Sequence, residues 1–192
     1  MYIAGIAAFA LIFIYDLNNW KWQKPVFKVL FPVGLFLIIG VSVMYCLPFS
    51  EVNFSSVPVR VLGGIIAILS LWAEIYSLFF SFDARDAYVA DQDKGNMKVY
   101  SKRMYALCRH PGVLFFITLY AGLVLATGMD IAGAALLCAL NVLLIVFEDM
   151  VVFPSVFMDY GEYKQRTPFL VPTAASICAC YCDMTGNRGQ RG

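Results

Sequence analysis

Apolar residues in this chain come in long unbroken runs, not in the alternating or three-to-four spacing of half-buried elements. Five runs stand out, at residues 2–15, 29–47, 61–82, 113–128 and 131–147. A helix crosses the hydrocarbon core of a bilayer with about 20 apolar residues, within a range of roughly 17–25. The second and third runs meet that length. The first is shorter, but Trp20 and Trp22 follow it, and tryptophan anchors helices at the membrane interface. It lacks a basic segment in front and a small-residue cleavage site behind, so it reads as a span and not as a signal peptide. Only Met129 and Asp130 separate the last two runs, which predicts a helical hairpin. Gly122, Gly128 and Gly133 are small enough to let its two backbones approach. The fold class that follows is all-α: a polytopic membrane bundle of about five transmembrane helices, ending in a C-terminal hairpin and a tail. It forms one membrane domain, with N-terminal spans and a polar loop over 1–96, a core over 97–172 and a tail over 173–192.

Composition agrees. Of 192 residues, 61% are hydrophobic and 14% charged, with a mean hydropathy of +0.74. Soluble domains average about 45–50% apolar and about 25% charged. The net charge is +1, and no basic tract is interleaved with aromatics, so the expected partner is a lipid bilayer and not a nucleic acid. Charge placement sets the expected orientation. With the N-terminus outside, the loop after the first span, the loop after the third and the tail hold all 14 basic residues except Arg60. That asymmetry is what the positive-inside rule requires, and it puts the polar segment 83–109 and the tail on the cytoplasmic face. Oligomeric state and the identity of the membrane stay open.

A few polar residues stand out against this background. His110 is the single histidine, in Tyr105-Ala-Leu-Cys-Arg109-His110-Pro111, just before the fourth run. Proline suits the first turn of a helix, so the simple reading is an interfacial cap. Glu148 and Asp149 close the fifth run, followed by Tyr160-Gly-Glu-Tyr163-Lys-Gln-Arg166-Thr167-Pro168 and then Pro172. Glu74 lies inside the third run, where a carboxyl must be neutral, paired or beside a wet cavity. Three of the six cysteines form Cys178-Ala-Cys180-Tyr-Cys182, which is not a zinc spacing; the readings are incidental thiols or a palmitoylation site. No metal is expected.

Taken together, Tyr105…Arg109-His110-Pro111, Gly122, Glu148-Asp149 and Tyr160…Tyr163…Arg166-Thr167-Pro168…Pro172 resemble the isoprenylcysteine carboxyl methyltransferase-like family of membrane methyltransferases, which includes phospholipid methyltransferases. The resemblance spans roughly 97–172. It implies S-adenosyl-L-methionine as cofactor and a lipophilic or lipid methyl acceptor. By position it implies cofactor contacts at Tyr105, His110, Pro111 and Glu148, with Val99 and Tyr100 lining the same site. Tyr160 and Tyr163 would belong to a tail folded back as a lid. Arg109, Glu148 and Glu74 are the candidate catalytic residues. The chain departs from the family in carrying Val113 and Phe115 where a Tyr and a Gly are usual, and Leu144 where prenylcysteine enzymes have a substrate-binding Arg. Two other readings remain: an NADPH-dependent reductase of the sterol-reductase type, and a non-catalytic membrane subunit. No glycine-rich nucleotide motif supports the first of these.

The orientation is directly testable. Cysteines introduced as Asn53→Cys and Lys94→Cys are expected to react with a membrane-impermeant thiol reagent from opposite sides of sealed vesicles. Labelling of both from one side would refute the orientation.

Overall fold

In the computed structural model, residues 1–47, 56–77 and 98–185 are described, and no β-strand occurs among them. Helix α1 runs Tyr2–Leu17, α2 Leu30–Cys46, α3 Val57–Ile75, α4 Met104–Leu107, α5 Pro111–Thr127, α6 Ile131–Phe147, α7 Phe153–Val156, α8 Tyr160–Arg166 and α9 Ala174–Met184. A π-helical turn, Asn18–Trp22, extends α1, a short 3-10 turn, Pro25–Val29, leads into α2, and a second π turn, Glu148–Val152, joins α6 to α7. The fold is therefore an all-α membrane bundle. Four helical segments are long and apolar enough to cross a membrane: Tyr2–Trp22, Pro25–Cys46, Val57–Ile75 and Ile131–Val156. Pro111–Thr127 is a shorter apolar helix.

Three features differ from the sequence pattern. The first span does not stop near Tyr15; the helix continues through Asp16 and Asn18 to Trp22, so both tryptophans are part of it. Nor does the fifth end at the acidic pair. The chain stays helical through Glu148 and Asp149 to Val156, so these carboxyls lie within a helical stretch and not at its tip. The third span begins at Val57, four residues before the apolar run, because Pro58 is tolerated in a first turn. Glu74 lies in the last turn of the regular helix α3, and the chain stays helical through Ser77, the last described residue of this segment. The end of that run beyond Ser77, the loop positions Arg85 and Lys94, and the tail positions Arg188 and Arg191 lie outside the described residues.

The chain divides into two compact units. The first comprises Met1–Leu71 and Phe116–Val152, the second Trp72–Phe115 and Phe153–Gly192. In the first, α1 packs against both α2 and α6. The shared core holds Phe9 and Ile12 of α1, Val41 and Tyr45 of α2, Tyr120 of α5 and Leu137 of α6. Outward positions such as Phe36 (73% exposed) and Ile68 (69% exposed) are large and apolar. A lipid-facing surface needs such residues, whereas a water-facing one rarely gathers them. Polar side chains between helices are paired: Ser42 with Tyr120, and Ser70 Oγ with Thr118 Oγ1 at 2.9 Å.

The glycines work differently from the sequence expectation. Gly122 does not face α6; a Cβ there would lie 2.7 Å from the Ala67 backbone N and 2.8 Å from the Gly63 carbonyl oxygen of α3. Gly63 is equally closed, with the Ala126 N at 2.7 Å. These two glycines form a backbone-to-backbone crossing of α3 and α5. Gly133 lies against the Tyr45 ring of α2, and Gly128 takes a positive φ of 72° in the hairpin turn. Asp130 closes that turn by accepting from the Gly133 N–H at 2.9 Å and from the Tyr2 hydroxyl at 2.7 Å. The Tyr2 bond, chiefly, holds the Asp130 carboxyl below its ordinary range.

Because the α3–α5 crossing leaves no room for a methyl, Gly122→Ala is expected to destabilise the protein by about 1–3 kcal/mol, the usual cost of overpacking. Gly64→Ala, with nothing within 4 Å, is expected to be near neutral. Thermal unfolding in detergent compares the two; equal melting temperatures would remove the crossing from the account.

Candidate functional site

The segment that carries the histidine starts at α4. This single turn ends at Cys108, whose extended backbone (φ −157°, ψ 166°) leads through Arg109 and His110 to Pro111, the first residue of α5. Arg109 is tied down twice by the tail: its backbone N–H donates to the Pro168 carbonyl at 2.9 Å, and Nη1 donates to the Lys164 carbonyl at 3.3 Å. Its guanidinium also lies over the Phe169 ring, 5.4 Å from the centroid. His110 is buried. Phe153 stacks on it at 5.7 Å with planes 13° apart, and Phe169 meets it edge-on at 5.2 Å.

The tail is positioned from several points. Tyr160 and Tyr163 are the buried residues of α8, one helical turn apart on one face. The Tyr163 hydroxyl donates to the Tyr105 carbonyl at 2.7 Å, and Tyr160 packs against Phe153 at 5.6 Å. The helix stops at Thr167, which is extended (φ −118°, ψ 126°), as the residue before a proline prefers. Upstream, Tyr100 meets Tyr105 edge-on at 6.0 Å, and the Val99 N–H donates to Asp159 Oδ1 at 2.8 Å. The Arg103 N–H donates to Asp183 Oδ2 of α9 at 3.2 Å, with Arg103 itself at a positive φ of 55°. Non-glycine residues adopt such a conformation only when their surroundings hold them in it. A cavity of about 280 Å3 opens in this unit, with Val99 and Tyr163 in its wall beside carboxyls of Asp159, Glu162 and Asp183 and the hydroxyl of Thr167.

Glu74 belongs to the same unit. Its Oε2 and the Ser77 Oγ are enclosed without hydrogen-bond partners. A Cβ on Gly112 would lie 3.6 Å from Glu74 Oε1 and 4.0 Å from Ser77 Oγ, so the residue after Pro111 leaves the carboxyl uncrowded. Val99, Tyr100, Tyr105, Arg109, His110, Pro111, Tyr160, Tyr163 and Glu74 are thus brought into one unit. Glu148 belongs to the other. There its carboxyl lies within hydrogen-bonding reach of that of Asp16. Asp16 is 8% exposed, and its Oδ2 has no hydrogen-bond partner.

Residue-by-residue reading did not single out Asp16, Phe153, Phe169 or the carboxyls of Asp159 and Asp183. Only Asp16 left a signal, an acidic residue in an apolar helix, and it was hidden by ending that helix too early. No family model matches this chain, and neither does any curated protein or solved structure.

Burial of the histidine segment gives a chemical handle. The Cys108 thiol is buried, which pushes its pKa up to about 11, although the His110 N–H donates to it. At pH 8 only about one such thiol in a thousand is the reactive thiolate. Cys178 is exposed. Maleimide at pH 8 is expected to modify Cys178 within minutes and Cys108 only after denaturation or at far higher pH, as read by peptide mass spectrometry. Early modification of Cys108 would mean that this segment is open to solvent.

Proposed function

We propose that this protein is a membrane-embedded methyltransferase that uses S-adenosyl-L-methionine to methylate a lipophilic acceptor at the cytoplasmic face. The observation that carries the reading is the docking of two distant motif segments. Tyr105–Pro111 and Tyr160–Pro168 are held together by the Arg109–Pro168, Arg109–Lys164 and Tyr163–Tyr105 hydrogen bonds. Sequence resemblance joins these two segments in one family. Their packing gives that pairing a physical form.

The residues present suit the cofactor. The cavity beside Val99 and Tyr163 offers carboxyl and hydroxyl oxygens, acceptors for a ribose or an ammonium. Its volume is near the lower end of ordinary small-molecule sites, about 300–1,000 Å3. When bound, S-adenosyl-L-methionine supplies an electrophilic methyl group. The protein's share is positional. Asp159 and Asp183 hold the 99–103 segment through its backbone, and the tail covers Arg109 and His110. Such shielding and orientation suit an in-line displacement, in which the reactants' geometry dominates the barrier. In this reading Glu74, whose enclosed Oε2 has no hydrogen-bond partner, accepts a proton from the acceptor nucleophile. Leu144 provides no cation for an acceptor carboxylate, which favours a neutral or amine-bearing lipophile over a prenylated peptide carboxylate.

Calorimetric titration of detergent-purified protein tests the reading. S-adenosyl-L-methionine is expected to bind saturably and NADPH not at all. Binding of NADPH alone would replace the methyltransferase with the reductase.

A further inference from the structure

Helix α9 is set up by local chemistry and not by an apolar face that seeks a core. Thr173 and Ser176 cap each other: the Ser176 N–H donates to Thr173 Oγ1 at 3.2 Å, and the Thr173 N–H donates to Ser176 Oγ at 2.9 Å. The helix packs on α4 within its own unit. What it turns inward is small or polar. Its buried residues are Ser176 and Cys180, and Asp183, its only charged residue, accepts the Arg103 N–H. Ala175 and Ala179 line the cavity.

The large apolar residues lie on the other side. Ile177, Tyr181 and Met184 follow one another at intervals of four and three, which places them on one helix face. They are 54%, 67% and 45% exposed. A helix on a water-facing surface has the reverse arrangement, with its apolar stripe inward and its polar stripe outward. The rest of the tail repeats the pattern, since Met158 and Val171 are also exposed.

What covers this face follows from where the tail is tied. Ile131–Val156 is long and apolar enough to cross a membrane, and its last turn, α7, belongs to the same unit as α9. Only residues 157–173 separate α7 from α9, and the Arg109–Pro168 and Tyr163–Tyr105 bonds fold them back. The helix is thus tethered close to the end of a span. A second copy is a poor fit, because a stable dimer buries about 800 Å2 and about 20–30 residues on each side. Three large side chains on an 11-residue helix fall far short of that. Tyrosine suits a membrane interface, where its ring meets hydrocarbon and its hydroxyl meets water.

We infer that α9 lies against the surface of the bilayer, with Ile177, Tyr181 and Met184 among the acyl chains just below the lipid headgroups. One helix then carries lipid on its outer face and a wall of the cavity on its inner one. The inference does not depend on what the cavity binds.

The test uses the full-length protein in phosphatidylcholine vesicles that contain a phosphatidylcholine with a diazirine near the headgroup end of one acyl chain. On irradiation, peptide mass spectrometry is expected to find lipid adducts on α9 and on α2, whose exposed Phe36 serves as the lipid-facing reference. Ile177→Lys combined with Tyr181→Lys is expected to lower labelling of α9 at least fivefold and leave that of α2 unchanged. If that variant does not fold, labelling of the unaltered protein decides alone. A labelled α2 beside an unlabelled α9 overturns the inference, and disulfide-linked dimers through the exposed Cys178 would then give the face to a second copy. Undiminished labelling of α9 in the lysine variant also overturns it, because the contact would not run through this face. Labelling of α9 in a protein that does not bind S-adenosyl-L-methionine keeps the docked helix and sinks only the proposed function.

Discussion

A polar group inside a bilayer has no water to turn to, and the arrangement of this protein follows from that. Each buried donor or acceptor must find its partner within the chain or remain unpaired at a cost of several kcal/mol. Most find one. Ser42 and Tyr120 meet between helices, as do Ser70 and Thr118, and the Thr127 hydroxyl turns back to the Leu123 carbonyl at 2.8 Å. Asn18, fully buried, bonds the Lys24 backbone on both sides, at 3.1 Å through its amide nitrogen and 2.9 Å through its oxygen, and so closes the bend between the first two spans. Asp16 Oδ2, Glu74 Oε2 and Ser77 Oγ do not find one, and neither do the Tyr45 hydroxyl and Arg60 Nε. Unpaired carboxyl oxygens in such a place are candidates for work, because a purely structural role is met better by an apolar side chain.

Close backbone packing is what makes such groups affordable. At the Gly63–Gly122 crossing, α3 and α5 approach with no side chain between them, and Gly34 brings α2 within reach of the Ala8 carbonyl of α1. In lipid, where expulsion of water contributes little to helix association, these contacts supply much of the cohesion. Rigid helices can then hold a carboxyl away from its ideal partner without collapsing around it. Tail docking in the second unit uses another device, hydrogen bonds between side chains and the backbone: the Tyr163 hydroxyl donates to the Tyr105 carbonyl, Arg109 donates to the Lys164 carbonyl, and the Val99 N–H donates to Asp159. These fix chain path directly.

The sequence was legible where one interaction dominates over many residues. Runs such as 29–47 and 131–147 can only be helices in lipid, and they are. Proline at 111 and the Asp130 cap mark helix starts through local chemistry. Ends were less legible, since a π turn keeps the chain helical through polar residues that hydropathy takes for a boundary; Asp16, Asn18, Glu148 and Asp149 were all affected. Partner choice was not legible at all. Nothing local tells whether Gly122 faces α6 or α3, and nothing near Glu148 in sequence points to Asp16. Likewise, the aromatic pair that encloses His110 comes from positions 153 and 169, and only the folded tail brings them there.

Under the proposed function, the sign of charge inside the spans bears on the methyl acceptor. Among the described residues, the spans carry carboxyls at Asp16, Glu74, Glu148 and Asp149, while their basic residues, Lys21, Lys28 and Arg60, lie in the end turns of the helical segments. An acceptor bearing a carboxylate or an unshielded phosphate would meet like charge wherever it approached one of these groups in ionised form, and like charges at low dielectric repel strongly. An amine meets the reverse situation. As an ammonium it is attracted, and a carboxylate that receives its proton becomes neutral as the amine becomes nucleophilic. Both products of that transfer are uncharged, so the apolar surroundings favour it, whereas in water the same transfer runs uphill by the difference between an ordinary carboxyl and an ordinary amine. Under the proposed function, burial of the acidic groups is therefore not a cost set against activity. On that proposal, it is the means by which a membrane interior would make an amine ready for methyl transfer.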